Sequence, residues 1–272
     1  MSATWLRRAV RVAVLAAACL ATAATAAGAI TLPPANTQFD YQIGGAYTPL
    51  SEVRIVDRDR GASPVSGKYN VCYVNAFQTQ PSESEWWKAN HPELLLRNRR
   101  GEYVIDEAWN EILLDISTAA KRTAIAEIVN GWIDGCRTSG FDAIEPDNLE
   151  SWTRSGGLLN ETEAIEYATR LARHAHSDGL AIAQKNTSEL GEVGKRTIGF
   201  DFAIAEECNV YRECGEYTAV YGNQVYEIEY TDNGGVRNFE AACRDHGSSI
   251  SIIYRDRLVV PRGESGYTYR WC

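Results

Sequence analysis

Two stretches of this chain end an apolar run in acids. Gly140-Phe141-Asp142-Ala143-Ile144-Glu145-Pro146-Asp147-Asn148-Leu149-Glu150-Ser151-Trp152 opens as a short buried strand and closes in carboxylates, a carboxamide and an indole. Phe200-Asp201-Phe202-Ala203-Ile204-Ala205-Glu206-Glu207-Cys208 has the same form. Pro146 is expected to break the strand ladder where it falls. Two carboxyl groups on neighbouring strand ends are what glycosidic cleavage needs: one protonates the leaving oxygen, the other works at the anomeric carbon. Asp147 and Glu206 are the candidate catalytic pair. Glu145, two residues before Asp147, would share its side of a continuing strand. Lys185 and Asn186 end a strand that lies between the two acids, and a lysine there can hold a carboxylate ionised. Trp152, Tyr41, Tyr230 and Tyr254 offer flat apolar faces for a pyranose ring. Each type also has a plainer use, since strand-end acids cap helices, lysines pair on surfaces and tryptophans anchor loops.

To face one another these side chains must reach one edge of one sheet, as they do in parallel α/β folds. Apolar strand-like runs recur at 39–43, 53–56, 69–74, 141–144, 180–183, 202–204, 217–220, 225–230 and 250–254. Helical patterns lie between several of them, at 117–135, 160–177 and 238–246, the second opened by the cap-like Asn160 and Glu163. Strand alternating with helix predicts a single-domain (β/α)₈ TIM barrel over residues 30–272. In it Asp57, Asp147, Lys185, Glu206 and Glu229 are expected to converge at one rim. An open doubly wound sheet is the alternative, but no glycine-rich phosphate loop follows any strand. Residues 86–115 read as a long loop after the third strand.

Residues 1–29 have the form of a signal peptide. Arg7, Arg8 and Arg11 precede an apolar run at 12–20, and small residues end in Ala27-Gly28-Ala29. That run is too short to span a membrane, no later stretch qualifies, and the mature chain is expected to be secreted and free of membrane. Lipidation at Cys19 is disfavoured by Ala16, where such signals usually carry Leu. Loss of three arginines and no acid takes the net charge from −9 to −12. Such a surface repels nucleic acid and suits a cationic substrate. Cys72, Cys136, Cys208, Cys214, Cys243 and Cys272 remain, an even set that implies three disulfides after export. Six cysteines allow fifteen pairings; Cys208 and Cys214 are expected to pair by proximity, and Cys72–Cys136 with Cys243–Cys272 is the further expectation. With no CxxC spacing and no clustered histidine, neither a metal nor a cofactor is expected. His91, His174, His176 and His246 stand beside no plausible serine nucleophile.

In order, the motifs Tyr41-Gln42, Val56-Asp57, Cys72-Tyr73, Gly140-Phe141-Asp142 with Pro146-Asp147-Asn148, Gln184-Lys185-Asn186, Ala205-Glu206-Glu207-Cys208 with Cys214, and Glu229-Tyr230 resemble glycoside hydrolase family 114. These are the endo-α-1,4-polygalactosaminidases, secreted TIM barrels, and the resemblance covers nearly all of 30–272. It implies Asp147 and Glu206 as the acids and a cationic amino-sugar polysaccharide as the partner. Tyr41, Gln42, Asp57, Asn148, Lys185, Asn186, Glu229 and Tyr230 from these motifs, with Glu145 and Trp152, make up the expected substrate-binding set. The chain departs from the family pattern at Ala205, where Asn is expected, and at Glu207, where Gln is usual. Asp147 is expected to be the nucleophile of a retaining mechanism, kept ionised by Asn148 and Lys185. Glu206, beside Ala205 and with fewer expected donors, is the acid/base. A monomer is expected. One rival is a chitinase-like hydrolase of glycoside hydrolase family 18, whose acid-rich strand needs a glutamate where Leu149 stands. The other is a non-catalytic carbohydrate-binding barrel, against which the presence of both acids argues.

Overall fold

The structure, a computed structural model, describes Met1 and residues 30–272. The expected signal peptide falls outside the described residues apart from Met1. In chain order the elements are β1 (Phe39–Tyr41), β2 (Ile55–Asp59), β3 (Tyr69–Asn75), α1 (Ser84–Asn90), β4 (Ile105–Asp106), β5 (Glu111–Ile112), α2 (Ala119–Ser139), β6 (Ala143–Asp147), α3 (Glu161–Ser177), β7 (Ala181–Lys185), β8 (Phe202–Glu206), α4 (Cys208–Tyr211), α5 (Cys214–Tyr221), β9 (Val225–Tyr230), α6 (Gly235–His246), β10 (Ser251–Arg255) and β11 (Tyr269–Trp271). Eight of the strands run parallel in the order β1-β2-β3-β6-β7-β8-β9-β10 and form the (β/α)₈ barrel. β11 is antiparallel to β10 at the end of the sheet.

Strand side chains alternate between two apolar cores. Inside the barrel pack Phe39, Val71, Ala143, Phe202, Ile204, Tyr226 and Ile253, among others. Between sheet and helices pack Cys72, Ile144, Ile182, Ala203, Ala205, Val225 and Ile252 with the buried faces of α2, α3, α5 and α6. Small residues on the inward side of β6 and β7, Ala143, Ala181 and Ala183, leave room for the large ones facing them. The Asn160–Glu163 capping box forms at the start of α3. Thr118 caps α2, and Gly140 ends it with φ +96°, a left-handed position that favours glycine.

Several expectations are corrected. The run 217–220 is helical, inside α5, because Tyr217 and Tyr221 bury one face four residues apart. Residues 86–115 hold most of α1 and the β4–β5 hairpin, and Leu94, Leu95, Leu96, Leu113 and Leu114 of this stretch form part of the outer core. β1, β2 and β3 follow one another without an intervening helix, so the helical layer is incomplete over the first third of the barrel. Pro146 lies inside β6 and keeps its register with Val74 of β3. On the other side, pairing with β7 stops at Ile144–Ile182, where Pro146 offers no N–H to continue it.

The barrel closes between β1 and β10 through side chains. Asn36 Nδ2 donates to Ser248 O (2.9 Å), and Thr37 N to Ser251 Oγ (3.0 Å). The Tyr269 hydroxyl accepts from Gln38 Nε2 (3.0 Å) and donates to Phe39 O (2.7 Å). Arg255, fully buried, donates to Asp40 Oδ1 (3.4 Å), Tyr41 O, the Tyr47 hydroxyl and Val260 O. Disulfides Cys72–Cys136, Cys208–Cys214 and Cys243–Cys272 are all formed. They tie β3 to α2, α4 to α5, and α6 to the chain end.

Candidate active site

The carboxyl ends of β6, β7 and β8 deliver Asp147, Lys185 and Glu206 as their last residues. In each case the next residue turns left-handed: Asn148 has φ 65°, Asn186 φ 50° and Glu207 φ 61°. Such a turn ends the strand at once and swings the chain aside, so the last inward side chain stands clear at the rim. Asn accepts this conformation readily, whereas Glu207 costs about 1 kcal/mol there. The Arg257 ion pair to Glu207 (2.6 Å) helps to hold it.

Lys185 is the hub. Its Nζ lies 2.7 Å from Glu145 Oε1, 2.9 Å from the Tyr41 hydroxyl, 3.4 Å from Asp147 Oδ1 and 3.5 Å from Glu206 Oε2. The lysine side chain is 1% exposed, while Asp147 and Glu206 are 18% and 25% exposed. The two acids therefore reach solvent over a sealed cation. Each also holds a tyrosine. The Tyr73 hydroxyl donates to Asp147 Oδ2 (2.8 Å) and the Tyr230 hydroxyl to Glu206 Oε1 (2.5 Å). Asn186 Nδ2 donates to Glu206 Oε2 (2.9 Å), and the Glu206 backbone N–H donates to Asn186 Oδ1 (2.8 Å). Glu206 is thus not the donor-poor acid expected from Ala205, whose side chain packs outward under the helices.

Burial would push the Asp147 carboxyl up, but Lys185, the Tyr73 hydroxyl and the Asn148 backbone N–H together hold it below the ordinary aspartate range. It is an ionised carboxylate at neutral pH. Burial also works against the Lys185 charge, yet Asp147, Glu145 and Glu206 keep the ammonium firmly protonated. Burial, and then nearby carboxylates, raise the tyrosine hydroxyls of Tyr73 and Tyr230, which stay neutral donors.

A cavity of about 200 Å³ opens above the two acids, lined by Ile43, Tyr73, Asp147, Asn148, Glu150, Lys185, Asn186, Glu206 and Tyr230. The β4–β5 hairpin supplies its far wall with Asp106, Trp109 and Glu111, and Arg154 braces that wall through Asp106 (2.9 Å) and Glu150 (2.8 Å). Trp109 is 49% exposed at the hairpin tip. Burial pushes the Glu111 carboxyl up to about 7, and its Oε2 accepts from Asn148 Nδ2 (3.2 Å). A second depression past Glu206 is rich in acids, with Glu150, Glu189, Glu207 and Glu213 beside Tyr211, Tyr217 and Arg257.

Of the expected binding residues, Asn148, Lys185, Asn186 and Tyr230 line the cavity. Tyr41, Asp57 and Glu145 lie beneath it, each at most 1% exposed, so they support the acids from below and, contrary to expectation, do not reach substrate. Gln42, Glu229, Trp152 and Tyr254 are corrected. Gln42 points out of the barrel to Asp40 and Arg58 (both 2.9 Å). Glu229 points into the helical layer beside Glu227, where both accept from Asn209 N (3.0 and 3.1 Å) and anchor the turn that follows Glu206. Glu229 cannot share the inward side with Tyr230, because neighbours in a strand face opposite ways. Trp152 packs against the outer core from a 3-10 turn, and Tyr254 stacks on Phe239 (5.2 Å) under α6. Tyr73 could have been found from the same alternation, being two residues beyond Val71 on β3. The hairpin residues Asp106, Trp109 and Glu111 carry no such signal, since their strands have two residues each.

A barrel that raises an ionised aspartate and a glutamate at its carboxyl rim around one buried lysine has the form of a glycoside hydrolase. Residues 20–272 match the model of glycoside-hydrolase family GH114, and the chain belongs to that family. Among solved structures, it is similar to Aspergillus fumigatus Ega3 in complex with galactosamine, at 21% identity and a TM-score of 0.70, over 90% of this chain and 100% of that one. It is also similar to the glycoside hydrolase domain of PelA from Pseudomonas aeruginosa, at 14% identity and a TM-score of 0.60, over 84% and 97% of the two chains. A search of curated protein sequences returns no match.

Proposed function

We propose that this glycoside hydrolase is an exported, monomeric endo-hydrolase of α-1,4-linked galactosamine polysaccharide that retains anomeric configuration. The observation that carries the reading is the pair Asp147 and Glu206 on one shared ammonium. Asp147, held ionised, attacks the anomeric carbon while Glu206 gives its proton to the departing glycosidic oxygen. A water then loses a proton to the Glu206 carboxylate, and its oxygen displaces Asp147 from the sugar. Their nearest oxygens can be no further apart than the sum of their two distances to Lys185, 3.4 and 3.5 Å, which admits the ~5–5.5 Å separation of retaining enzymes and excludes most of the ~6.5–9.5 Å inverting range. The acids around the cavity and the net charge favour an amino sugar with a free, positively charged amine. Three disulfides support a working place outside the cytosol, and no helix among the described residues is long and apolar enough to cross a membrane.

Product analysis on galactosamine, N-acetylgalactosamine and mixed polymers, with NMR of the first anomer released, tests this reading. Internal cleavage of deacetylated polymer with retention is expected. Activity confined to acetylated polymer, or release of the inverted anomer, would sink it. Asp147→Asn and Glu206→Gln should each fold and lose several orders of magnitude in kcat. On an activated substrate that needs no acid, Glu206→Gln should recover part of the rate and Asp147→Asn none.

A further inference from the structure

Beneath the acid pair lies a second pair of carboxyl groups that never meets solvent. Asp57, on β2, is 1% exposed and Glu145, on β6, is fully buried. Glu145 Oε1 is well supplied, with the Tyr41 hydroxyl at 3.0 Å and Lys185 Nζ at 2.7 Å. Its Oε2 has no donor, and neither oxygen of Asp57 has one. The groups that face this pair from the surrounding strands are already engaged, and none donates to these three oxygens. Tyr41 of β1 donates to Glu145 Oε1, Tyr73 of β3 to Asp147, and Tyr230 of β9 to Glu206. Lys185 of β7 serves Glu145, Asp147 and Glu206. The Asp57 and Glu145 carboxyl groups face each other within hydrogen-bonding reach. Three buried carboxyl oxygens without a hydrogen would be very costly, and two neighbouring carboxylates cannot both stay ionised away from water.

We infer that Asp57 and Glu145 share one proton, carried by Asp57 and donated to Glu145 Oε2, so that Glu145 alone bears the charge that fixes Lys185 under the two acids. One proton satisfies the orphaned Oε2 and turns one oxygen of Asp57 into a donor. It also leaves Lys185 facing one full charge below and the reacting acids above. Burial and the charge of Glu145 both push Asp57 well above its ordinary range, in keeping with this. Asp57 and Glu145 are positioning residues, since neither can touch substrate. Only the catalytic consequence rests on the proposed roles of Asp147 and Glu206.

Linkage to folding reads the proton directly. The native chain keeps a proton on Asp57 that the unfolded chain has lost above the ordinary aspartate range. Stability due to Asp57 is therefore present at low pH and falls as pH rises toward the folded value. Asp57→Asn keeps a donor to Glu145 Oε2 and carries no titrating proton. In urea unfolding with the disulfides intact, the folding equilibrium constant of the wild type should fall with pH more steeply than that of Asp57→Asn, by about tenfold per pH unit. Parallel slopes would overturn the inference. Isotope-edited infrared spectra of wild-type protein with labelled aspartate should show one protonated carboxyl at neutral pH, and its absence would overturn the inference even if the variant fails to fold. For the positioning role, Asp57→Asn should keep kcat within a few-fold while Asp57→Leu, which has no donor, loses tenfold or more. Equal losses would remove that role. A linkage difference in a protein that cleaves no galactosamine polymer would leave the shared proton standing and refute the proposed function instead.

Discussion

Lys185 stands almost equally far from Asp147 (3.4 Å) and Glu206 (3.5 Å), and that balance suits a reaction in which negative charge moves from one acid to the other. As Asp147 bonds to the sugar its charge fades, while Glu206 gains one by losing its proton, and the ammonium need not move to meet it. Lys185→Met should lower kcat by orders of magnitude and cost about 3–5 kcal/mol of stability in urea unfolding, because it strands carboxylates in the interior. Tyr230→Phe, which removes one donor from Glu206, should cost about tenfold in kcat. Glu111 offers a pH test with a defined position. Its carboxyl, pushed up to about 7, contributes stability that is complete below 4.5 and is lost as pH rises through about 7. Glu111→Gln should therefore gain stability relative to wild type from pH 4.5 upward and level off above about 7, in a pH series of thermal melts. A flat difference across that range would mean the carboxyl is not raised. The acids and Lys185 were legible because each ends an apolar run. Glu229 was misplaced because the family motif names it beside Tyr230, and strand alternation admits only one of that pair; Gln42, just past β1, is taken up by Asp40 and Arg58. Asn186 escapes that limit because the chain has already left the strand there.

At the scale of elements, the β4–β5 hairpin walls the cavity, and the disulfide loop borders the acidic depression past Glu206. If Trp109 stacks on a sugar, Trp109→Ala should raise KM on polymer about tenfold with little change in kcat, and leave the melting temperature unmoved. The Cys208–Cys214 bridge spans a sequence separation of 6, so chain entropy gives it about 2 kcal/mol, against about 4 kcal/mol for Cys72–Cys136, which spans 64. Its position matters more than its energy, since it begins two residues after Glu206. Cys208→Ala with Cys214→Ala should cost less stability than removing Cys72 and Cys136, yet lose more kcat. Equal kinetic losses in the two double variants would argue against a role in aiming Glu206. The eight parallel strands and the three long helices were readable from apolar period and caps, whereas β11 was not. Helix α5 was not, because Tyr-Thr-Ala-Val is strong strand vocabulary and only the burial of Tyr217 and Tyr221 on one face decides otherwise. The hairpin was hidden for a related reason: with two residues per strand there is no alternation to count.

For the whole molecule, charge and closure are the relevant quantities. A chain of net charge −9, and −12 without residues 1–29, should bind a cationic polymer more weakly as salt screens the attraction. KM for deacetylated polymer should rise with ionic strength while KM for a neutral analogue stays flat, which steady-state kinetics in graded salt can measure. A barrel is also a hoop, and a hoop is as strong as its weakest joint. Seven of its eight joints are main-chain ladders; the eighth, between β1 and β10, is a buckle of side chains fastened by Arg255, Ser251 and the Tyr269 hydroxyl. The strap that carries Tyr269 is pinned at its end to α6 by Cys243–Cys272. Reducing that one bond, or cutting the strap before Tyr269, should loosen the buckle and leave the ladders whole. The barrel would then open along one line like a stave pulled from a cask. Amide exchange should show the break first in β1, on the far side of the barrel from Lys185, well before the catalytic strands let go.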